Sequence, residues 1–392
     1  MTAPSAWRSL SHDSVGDGLV LLGLAGLIDP PRSEAIAAVA ECRGAGIKVK
    51  MITGDHAATA SAIAARIGID SAHRVLTGAD LDRLDDALLV EEARLTNVFA
   101  RTTPEHKLRL VTALQTAGEI VAMTGDGVND SPALKRADAG VAMGVTGSDA
   151  AKEVADLVLT DDNFASIAAA VREGRTVFEN IHKVVSWTLP TNAGEAAVVV
   201  IALLAGLAMP LSALQILWIN LVTAGSLGVA LAFERTEPGI MRRPPRAVNA
   251  PLLDQTLVWH VLLVSVLFVA GTYGIFNYAL AQGYDLNLAR TLAVNTVIVL
   301  EIFHLFFIRN FHATSLTWEA VRGTPAVWIA VAVVVGGQIL FTYAPFMHRV
   351  FATRPVTLVD GAIVIGIGVA FFFAIVELEK QVRLRLAASP PG

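Results

Sequence analysis

Residues 123–130, MTGDGVND, carry the clearest structural signal in this 392-residue chain. They end the apolar run 120–123, which predicts a buried strand, and they place Asp126 and Asp130 just beyond it. Glycines let the backbone approach an anion closely, and a following helix N-terminus favours negative charge. Two carboxylates there would repel a phosphate unless they held a cation such as Mg²⁺. The pattern predicts a magnesium and phosphate site, and the alternative is an acidic turn with helix caps.

A second strand end carries related groups. Thr53, Gly54 and Asp55 follow the apolar run 47–52 and present a hydroxyl and backbone N–H groups where a phosphoryl group could bind. Lys107 opens a predicted helix and could neutralise charge on a transferred group. Taken alone, Lys107 is equally consistent with an ordinary lysine exposed to solvent. Its occurrence together with the two strand ends favours phosphoryl-transfer chemistry.

Short apolar strands alternate with helices over residues 20–183. The predicted strands are 20–28, 47–52, 98–100, 120–123, 140–143 and 157–159, and the predicted helices are 33–45, 57–67 and 104–117. This alternation predicts an α/β fold with a parallel, doubly wound sheet whose ligands lie at the carboxyl ends of the strands. Residues 71–96 are acidic and irregular, and we expect them to form a surface excursion.

The second half of the chain is far more apolar than the first, and it raises the hydrophobic share to 54%. Six runs are long enough, at ~20 residues, to cross a ~30 Å hydrocarbon core. They cover residues 184–207, 211–233, 256–280, 288–309, 325–346 and 357–378. Arginines concentrate in the loops after the second and fourth runs, and basic residues also occur in the tail. By the positive-inside rule, the soluble half and the C-terminus are predicted to be cytoplasmic, on a multi-pass protein of the cell (inner or plasma) membrane.

Charge and cysteine content exclude several other classes. The net charge is −5 and the soluble half has no basic run, so we expect no nucleic-acid partner. The single cysteine, Cys42, allows no internal disulfide and no zinc knuckle. The first residues do not form a signal peptide, so internal helices are expected to direct membrane insertion.

Six motifs follow one another in order. They are DPPR at 29–32, MITGD at 51–55, FARTTPEHK at 99–107, MTGDGVNDSPAL at 123–134, GVAMG at 140–144 and DDNF at 161–164. The series resembles the phosphorylation domain of P-type cation-transporting ATPases of the calcium-pump and sodium-pump branch, which belong to the haloacid-dehalogenase superfamily. The resemblance implies a linker at 1–19, a partial phosphorylation domain at 20–183, a membrane domain of six helices at 184–380 and a cytoplasmic tail at 381–392.

The resemblance also implies roles for the phosphate-site residues, with Mg²⁺ and ATP as cofactors. Asp126 would bind Mg²⁺ directly, and Asp130 would support it. Asn129 and Thr53 would contact the phosphoryl group, and Lys107 would stabilise it. Such enzymes work mainly by positioning and charge neutralisation during phosphoryl transfer to an aspartate.

Three further residues have implied roles away from the magnesium. Asp55 and Arg101 would help to place the nucleotide, and Asp29 would belong to the hinge side of the domain. The nucleophilic aspartate of the family lies in a DKTGT motif, which this chain does not contain. We therefore expect the chain alone to form no phosphoenzyme. One hypothesis is a pump completed by a second chain carrying the missing N-terminal half, and the alternative is a non-catalytic remnant or regulatory partner.

Polar side chains within the apolar runs predict a cation site in the membrane. Asn192 and Glu195 are three residues apart in the first run, Asn220 and Thr223 are three apart in the second, and Glu301 lies deep in the fourth. Oxygen ligands from several helices suit a hard cation. Hydrogen bonding between helices is the alternative.

The family comparison places these residues where calcium pumps hold their ions. It implies a transported cation, with Ca²⁺ ahead of Na⁺, K⁺ or H⁺. Ala224 replaces an aspartate of calcium pumps, which puts a two-calcium stoichiometry in doubt. Pro190 and Gly194 are expected to interrupt the first membrane helix and free carbonyls as ligands. His182, His260 and His304 lack metal spacing and are predicted to be packing residues.

Overall fold

The computed structural model describes residues 30–70, 74–248, 250–309 and 322–371, together with Gly23 and Leu378. Asp29 and the predicted strand at 20–28 lie outside these residues, apart from Gly23. The α/β part contains the helices α1 (Ser33–Gly44), α2 (Ala57–Ile67), α3 (Gly78–Leu81), α4 (Asp86–Leu95), α5 (Pro104–Thr116), α6 (Ser131–Arg136) and α7 (Asp149–Val154). Its strands are β1 (Met51–Ile52), β2 (Val75–Thr77), β3 (Val98–Ala100), β4 (Ala122–Gly125), β5 (Ala139–Met143) and β6 (Leu157–Leu159).

The strands form two parallel sheets of three strands each. One sheet has the order β1-β3-β2 and the other the order β4-β5-β6. In the first, Met51 pairs with Val98, and in the second, Ala122 pairs with Ala139. The prediction of parallel strands is confirmed. The described strands form two parallel sheets rather than one, since β1 and β4 do not pair with each other.

The prediction for residues 71–96 is wrong. This segment supplies the strand β2 and the helices α3 and α4, and Leu76, Leu81 and Leu89 are buried. Thr77 caps α3 through a capping box with Asp80. The leucines face a core shared with β3. Strand β2 is too short to show the alternation of apolar and polar residues that marks a strand. The many acidic residues around it gave the segment the composition of a surface loop.

Helix α5 lies across both half-sheets. Its Leu110 packs with Phe99 of β3 in one apolar cluster, and its Val111 packs with Met123 of β4 in another. Thr103 begins the helix with a capping box, and a proline occupies its first turn, where the missing N–H costs nothing. The first turn of α5 is therefore held at the carboxyl ends of both sheets, and this is the turn that carries the predicted lysine.

The second half is helical. It contains α8 (Phe164–Ala205), α9 (Ala213–Thr223), a π-helical turn (Ala224–Gly228), α10 (Val229–Ala232), α11 (Gln255–Ala281), α12 (Leu286–Ile308), α13 (Pro325–Tyr343), α14 (Pro345–Phe351) and α15 (Leu358–Val369). Among the described residues, five stretches are long and apolar enough to cross a membrane: Phe164–Ala205, Ala213–Ala232, Gln255–Ala281, Leu286–Ile308 and Pro325–Tyr343. The sixth predicted span begins as α15, and residues 372–377 within it lie outside the described residues.

The expected interruption of the first membrane helix does not occur. Helix α8 runs for 42 residues and passes through Pro190. Gly194 is needed for packing rather than for a break, since an added Cβ would lie 2.7 Å from Cβ of Phe268 on α11. Helix α8 also crosses the predicted domain boundary at residue 183, so the soluble and membrane parts share one helix.

Candidate functional site

The carboxyl end of β4 forms the first part of the site. An ideal Cβ on Gly125 would lie 2.5 Å from Cβ of Asp130, so only glycine fits where the chain turns back. Asp130 is 5% exposed, and its Oδ2 accepts a hydrogen bond from the Gly127 N–H at 3.3 Å. Asp126 lies on the exposed side of the same loop, and its carbonyl accepts from the Ser148 N–H at 2.7 Å. The loop thus holds one acid inward and one outward.

Lys107 and Asp130 form an ion pair across this loop. The Lys107 Nζ lies 2.5 Å from Asp130 Oδ1, and the lysine side chain is 21% exposed. The contact joins the first turn of α5 to the end of β4. The same loop carries Asp126 and Asn129, both of which are exposed. A cationic group and two exposed polar side chains therefore share one edge of the sheet.

The carboxyl end of β1 forms the second part. The Thr53 N–H donates to the Phe99 carbonyl at 2.9 Å, and the Thr53 carbonyl accepts from the Thr102 N–H and hydroxyl at 3.2 Å each. The Asp55 N–H donates to Thr53 Oγ1 at 3.1 Å, and the Asp55 carbonyl accepts from the Arg101 N–H at 3.1 Å. The backbone of the Thr53 to Asp55 turn is thereby fixed to the loop after β3.

Arg101 and Gly54 complete this turn. Arg101 has a φ of 54°, a left-handed conformation that non-glycine residues seldom adopt. Such conformations concentrate at ligand sites. Gly54 is exposed, and no described atom lies within 4 Å of an added Cβ. The open space beside Gly54 leaves the backbone of this turn accessible to a ligand.

The donor set at β4 fits Mg²⁺ bound jointly with a phosphate. Within the described parts of the chain, no three His, Cys, Asp or Glu side chains group closely enough to hold a metal alone. Asp126 offers one exposed carboxylate, while Asp130 is already paired with Lys107. One or two protein carboxylates with phosphate oxygens and water is the usual arrangement for Mg²⁺.

A neighbouring loop after β5 is fixed by Asp162. Its carboxylate accepts hydrogen bonds from the N–H groups of Gly144, Val145 and Thr146 at 2.7, 2.9 and 2.7 Å. These bonds, led by those from the Val145 N–H and the Thr146 hydroxyl, lower the pKa of Asp162 to about 2. The charged carboxylate thereby holds together the loop that follows β5, on the same side of the sheet as Asp126.

The membrane half contains a second cluster, formed by two carboxylates and an amide. Asn220 Nδ2 donates to Glu195 Oε2 at 2.8 Å, joining α8 to α9. Glu195 is 5% exposed and Glu301, on α12, is 2% exposed. Trp187 Nε1 on α8 donates to the Glu301 carbonyl at 3.2 Å. Acidic side chains from two helices are thus buried in one apolar bundle.

Two oxygen atoms of this cluster have no hydrogen-bond donor among the described residues. They are Glu195 Oε1 and Glu301 Oε2. The buried Thr223 hydroxyl donates to the Ile219 carbonyl at 2.9 Å. Buried carboxylate oxygens without a donor are costly, and a bound cation would compensate for that cost.

The structure does not bring every predicted ligand into this cluster. Asn192 is exposed on α8, whereas Glu195 is buried. Ala224 begins the π-helical turn that follows α9. π-helical turns are rare and often occur at functional sites. Gly225 and Gly228 were the available sequence signal for this turn, which was not predicted.

A pair of histidines was also missed. His260 Nε2 and His304 Nε2 lie 3.0 Å apart, and both side chains are buried between α11 and α12. Their rings also contact Phe307. The prediction that they are packing residues agrees with this apolar surrounding. Their 44-residue separation gave no sign that they meet.

Arg175 connects the soluble part to the loop between α10 and α11. On α8, its Nη1 donates to the carbonyls of Ile240 and Arg243, both at 2.8 Å. Its Nη2 donates to the Ala45 carbonyl at the end of α1, at 3.0 Å. Further along α8, a buried lysine, Lys183, pairs at 2.9 Å with a glutamate of the same loop. The soluble domain, the long helix and this loop are therefore held together by these contacts.

Family models match most of the chain. A model described as "Cation transporting ATPase, C-terminus" matches residues 208–382. Two models described as "haloacid dehalogenase-like hydrolase" match residues 6–138 and 107–171. The first covers the helices from α9 onward, and the others cover the two half-sheets.

Curated relatives extend over both halves together. The chain is 48% identical over 379 residues to the "Probable cation-transporting ATPase F" of Mycobacterium tuberculosis, covering 95% of this chain and 41% of that protein. It is 44% identical over 355 residues to the "Cation-transporting ATPase pma1" of Synechocystis, covering 89% and 39%. It is 41% identical over 365 residues to the "Calcium-transporting ATPase" of Bacillus subtilis, covering 92% and 41%. The chain thus spans about two fifths of the length of these relatives.

Proposed function

Because the chain belongs to the P-type cation-transporting ATPases, of which it covers a C-terminal portion, we propose that it supplies part of the phosphate site and part of the ion path of an ATP-driven cation pump. It is a multi-pass membrane protein with a haloacid-dehalogenase-like domain. The observation that carries the proposal is the single helix α8, which begins in the soluble domain and contributes Glu195 to the buried acidic cluster.

Helix α8 provides a mechanical connection between the two sites. Arg175, on its soluble part, donates to the Ala45 carbonyl in the segment between α1 and β1. Cys42 of α1 packs with Ala168 of α8 in one apolar cluster. Movement of the soluble domain would therefore be transmitted to α8, and through it to Glu195.

In the soluble domain, the proposal gives each phosphate-site residue a task. Asp126 would hold Mg²⁺, which supplies charge neutralisation when bound, and Asp130 would keep Lys107 in place. Lys107, Thr53 and Asn129 would contact the phosphoryl group. The pairing of Lys107 with Asp130 and the fixed backbone at Thr53 support this assignment.

The turn after β1 would position the nucleotide. Asp55, Gly54 and Arg101 are the residues of this turn that the proposal assigns to ATP. The hydrogen bond from the Arg101 N–H to the Asp55 carbonyl and the open space beside Gly54 support the assignment.

In the membrane, Glu195, Asn220, Thr223 and Glu301 would bind the transported cation, for which Ca²⁺ is the preferred candidate. The carboxylate oxygens without donors among the described residues suit a hard cation. The similarity to the "Calcium-transporting ATPase" of Bacillus subtilis supports the choice of ion. Asn192 is exposed, and it would join this set of cation ligands only if a further helix covered it. The soluble domain and the C-terminus would face the cytoplasm.

The first experiment tests the phosphate site. The chain is co-expressed with a polypeptide carrying DKTGT and the remaining membrane helices, and acid-stable labelling from γ-labelled ATP is measured with Mg²⁺. We expect labelling that Asp126→Ala abolishes and that Glu153→Ala, at an exposed acid on α7, leaves intact. Labelling that survives Asp126→Ala would show that this residue does not hold the magnesium.

The second experiment tests the ion path in the same complex. Glu195→Gln should weaken activation by Ca²⁺ by about tenfold or more, since it removes a charged ligand worth at least ~1.4 kcal/mol. Labelling from inorganic phosphate should remain. Glu173→Gln, at an exposed position on the same helix, is the matched control. An unchanged calcium dependence in Glu195→Gln would remove this residue from the path.

The alternative function is a non-catalytic remnant or regulatory partner. The absence of a DKTGT motif from the sequence favours it. If co-expression gives no labelling although both polypeptides are folded and associated, this alternative replaces the pump.

A further inference from the structure

The first turn of α5 contains a buried histidine, His106, to which the proposed phosphate site gives no task. His106 is 5% exposed and directly precedes Lys107 in the chain. A buried imidazole needs a hydrogen-bond partner for each ring nitrogen. Both partners are present: Nδ1 lies 3.1 Å from the Thr103 backbone N, and Nε2 lies 2.8 Å from Asp82 Oδ1. The ring is therefore held on two sides.

These two partners determine where the ring carries its proton. A backbone N–H can only donate, so Nδ1 of His106 accepts from Thr103 and carries no proton. The proton is on Nε2, which donates to the Asp82 carboxylate. In a capping box, the side chain of the third helical residue is usually Glu or Gln, and it accepts from the backbone N–H of the cap residue. His106 takes this place in α5.

Thr103 forms two further hydrogen bonds to the same turn. Its Oγ1 accepts from the His106 N–H at 3.4 Å, and its carbonyl accepts from the Lys107 N–H at 3.2 Å. Capping bonds satisfy the N–H groups that a helix start leaves without partners. Removal of the imidazole would take the acceptor from the Thr103 N–H and loosen the turn that carries Lys107.

Helix α3 packs against the same ring. An ideal Cβ on Gly78 would lie 2.3 Å from the Arg101 carbonyl oxygen and 3.0 Å from Cε1 of His106, so the start of α3 lies directly against both. Almost one turn further along α5, Arg109 Nη1 donates to the Leu81 carbonyl at 3.1 Å, at the end of α3. Helix α3 therefore supports the first turn of α5 from one side.

The other side of this turn faces the phosphate site. Successive residues of a helix point about 100° apart, so the direction fixed for His106 also fixes that of Lys107. The Lys107 Nζ lies 2.5 Å from Asp130 Oδ1, at the end of β4. We propose that His106 is a positioning residue for Lys107. Its ring, held by Thr103 and Asp82, fixes the first turn of α5, and the amine of the next residue thereby reaches Asp130.

The inference concerns where Lys107 is held, and it deepens the proposed function. The task of Lys107 at a phosphoryl group rests on that function, whereas its placement by His106 does not. The test therefore measures the Lys107 amine itself in the full chain, without nucleotide and without a second polypeptide. Failure of the pump would appear in the phosphoenzyme experiments, and failure of this inference would appear in the reactivity of one amine.

The test is acetylation of lysines in the full chain in detergent, with a trace of acetic anhydride and peptide mass spectrometry. Lys107 is 21% exposed and bonded to Asp130, so it should react slowly relative to Lys135, which is exposed on α6. His106→Leu removes both ring bonds. We expect it to make acetylation of Lys107 about fivefold faster, which corresponds to loss of a typical helix cap. Unchanged acetylation of Lys107 would overturn the inference.

His106→Gln is the conservative variant. A glutamine at this position completes a capping box, because its side-chain oxygen can accept from the Thr103 N–H, and acetylation of Lys107 should return to within about twofold of the unsubstituted protein. Lys50, whose Nζ donates to the Thr96 carbonyl at 2.6 Å, reports general loosening of the domain. An equal increase at Lys50 and Lys107 in His106→Leu would overturn the inference. So would a Lys107 that reacts as fast in His106→Gln as in His106→Leu.

A second pair of variants changes the partner of the ring. The Asp82 side chain is 68% exposed, so substitutions there do not enter the core. Asp82→Leu removes the acceptor of the His106 Nε2–H, whereas Asp82→Asn keeps an acceptor oxygen. We expect acetylation of Lys107 to be at least about twofold faster in Asp82→Leu than in Asp82→Asn. Equal acetylation would contradict the inference, and this comparison does not depend on whether His106→Leu folds.

Discussion

At the scale of single residues, the loop after β4 that carries Asp126 and Asp130 depends on close backbone contacts. Gly125 allows Asp130 to turn back against β4, where the carboxylate meets Lys107. From the sequence, both acids were predicted to contribute to magnesium binding. The structure separates them, with Asp126 outward and Asp130 paired, because burial of a carboxylate requires a partner.

Gly125→Ala tests this contact. The added Cβ would lie 2.5 Å from Cβ of Asp130, and we expect a loss of about 1–3 kcal/mol in stability of the soluble domain. Gly54→Ala is the control, because no described atom lies within 4 Å of its added Cβ. Labelling of the single buried thiol, Cys42, in increasing urea measures unfolding of this domain. Equal unfolding midpoints for the two variants would contradict the prediction.

Lys50 gives a prediction about pH. Its Nζ donates to the Thr96 carbonyl at 2.6 Å, and burial, followed by the charge of Lys48, lowers its pKa from 10.5 to about 8. Between these values the unfolded chain binds more protons, so this group makes stability rise with pH. Between pH 8 and pH 10.5, the stability of Lys50→Met should therefore rise less steeply with pH than that of the unsubstituted protein.

The measurement for Lys50 is Cys42 labelling in urea, with variants compared at each pH so that the reactivity of the thiol cancels. Lys135→Met, at an exposed lysine on α6, serves as the control. A wild-type slope in Lys50→Met over this pH range would show that Lys50 does not titrate there.

At the scale of elements, α8 differs most from what the sequence predicted. Pro190 and Gly194 suggested a break, but the helix is continuous and Gly194 contacts α11 instead. A membrane helix tolerates proline within a packed bundle. Ser265 Oγ of α11 donates to the Pro190 carbonyl at 3.2 Å and joins this turn of α8 to α11.

Gly194→Ala should weaken the packing of α8 on α11 by about 1–3 kcal/mol, since its Cβ would meet Phe268 at 2.7 Å. Gly174→Ala, on the soluble part of the same helix, has no described atom within 4 Å of its Cβ and is the matched control. Thermal unfolding of the full chain in detergent compares the two. A lower melting temperature for Gly174→Ala than for Gly194→Ala would be the opposite of this expectation.

At the scale of the whole molecule, Arg175 joins α1, α8 and the loop before α11. Arg175→Ala removes three hydrogen bonds from a charged donor, and it should make tryptic cleavage of the loop at 234–246 about tenfold faster. Arg172→Ala is the control, because the described contacts of the Arg172 side chain are with Glu41 of α1 and not with the loop. Equal cleavage rates would show that Arg175 does not hold the loop.

Local patterns were sufficient to predict most strands and helices, the acidic strand end at 123–130 and the apolar spans. Side-chain periodicity and the placement of glycines set these features, and both are visible without neighbours. The same patterns misled the prediction for residues 71–96, because Leu76 and Leu89 reveal their buried role only against β3.

Only the tertiary structure decided which side chains contact one another. The Lys107–Asp130 pair, the Asn220–Glu195 bond and the His260–His304 contact each join segments that are distant in sequence. A side-chain pattern specifies the face that a helix or strand buries, but it carries no record of the element that covers that face. Packing of complementary surfaces makes that choice, and it is a property of the folded chain.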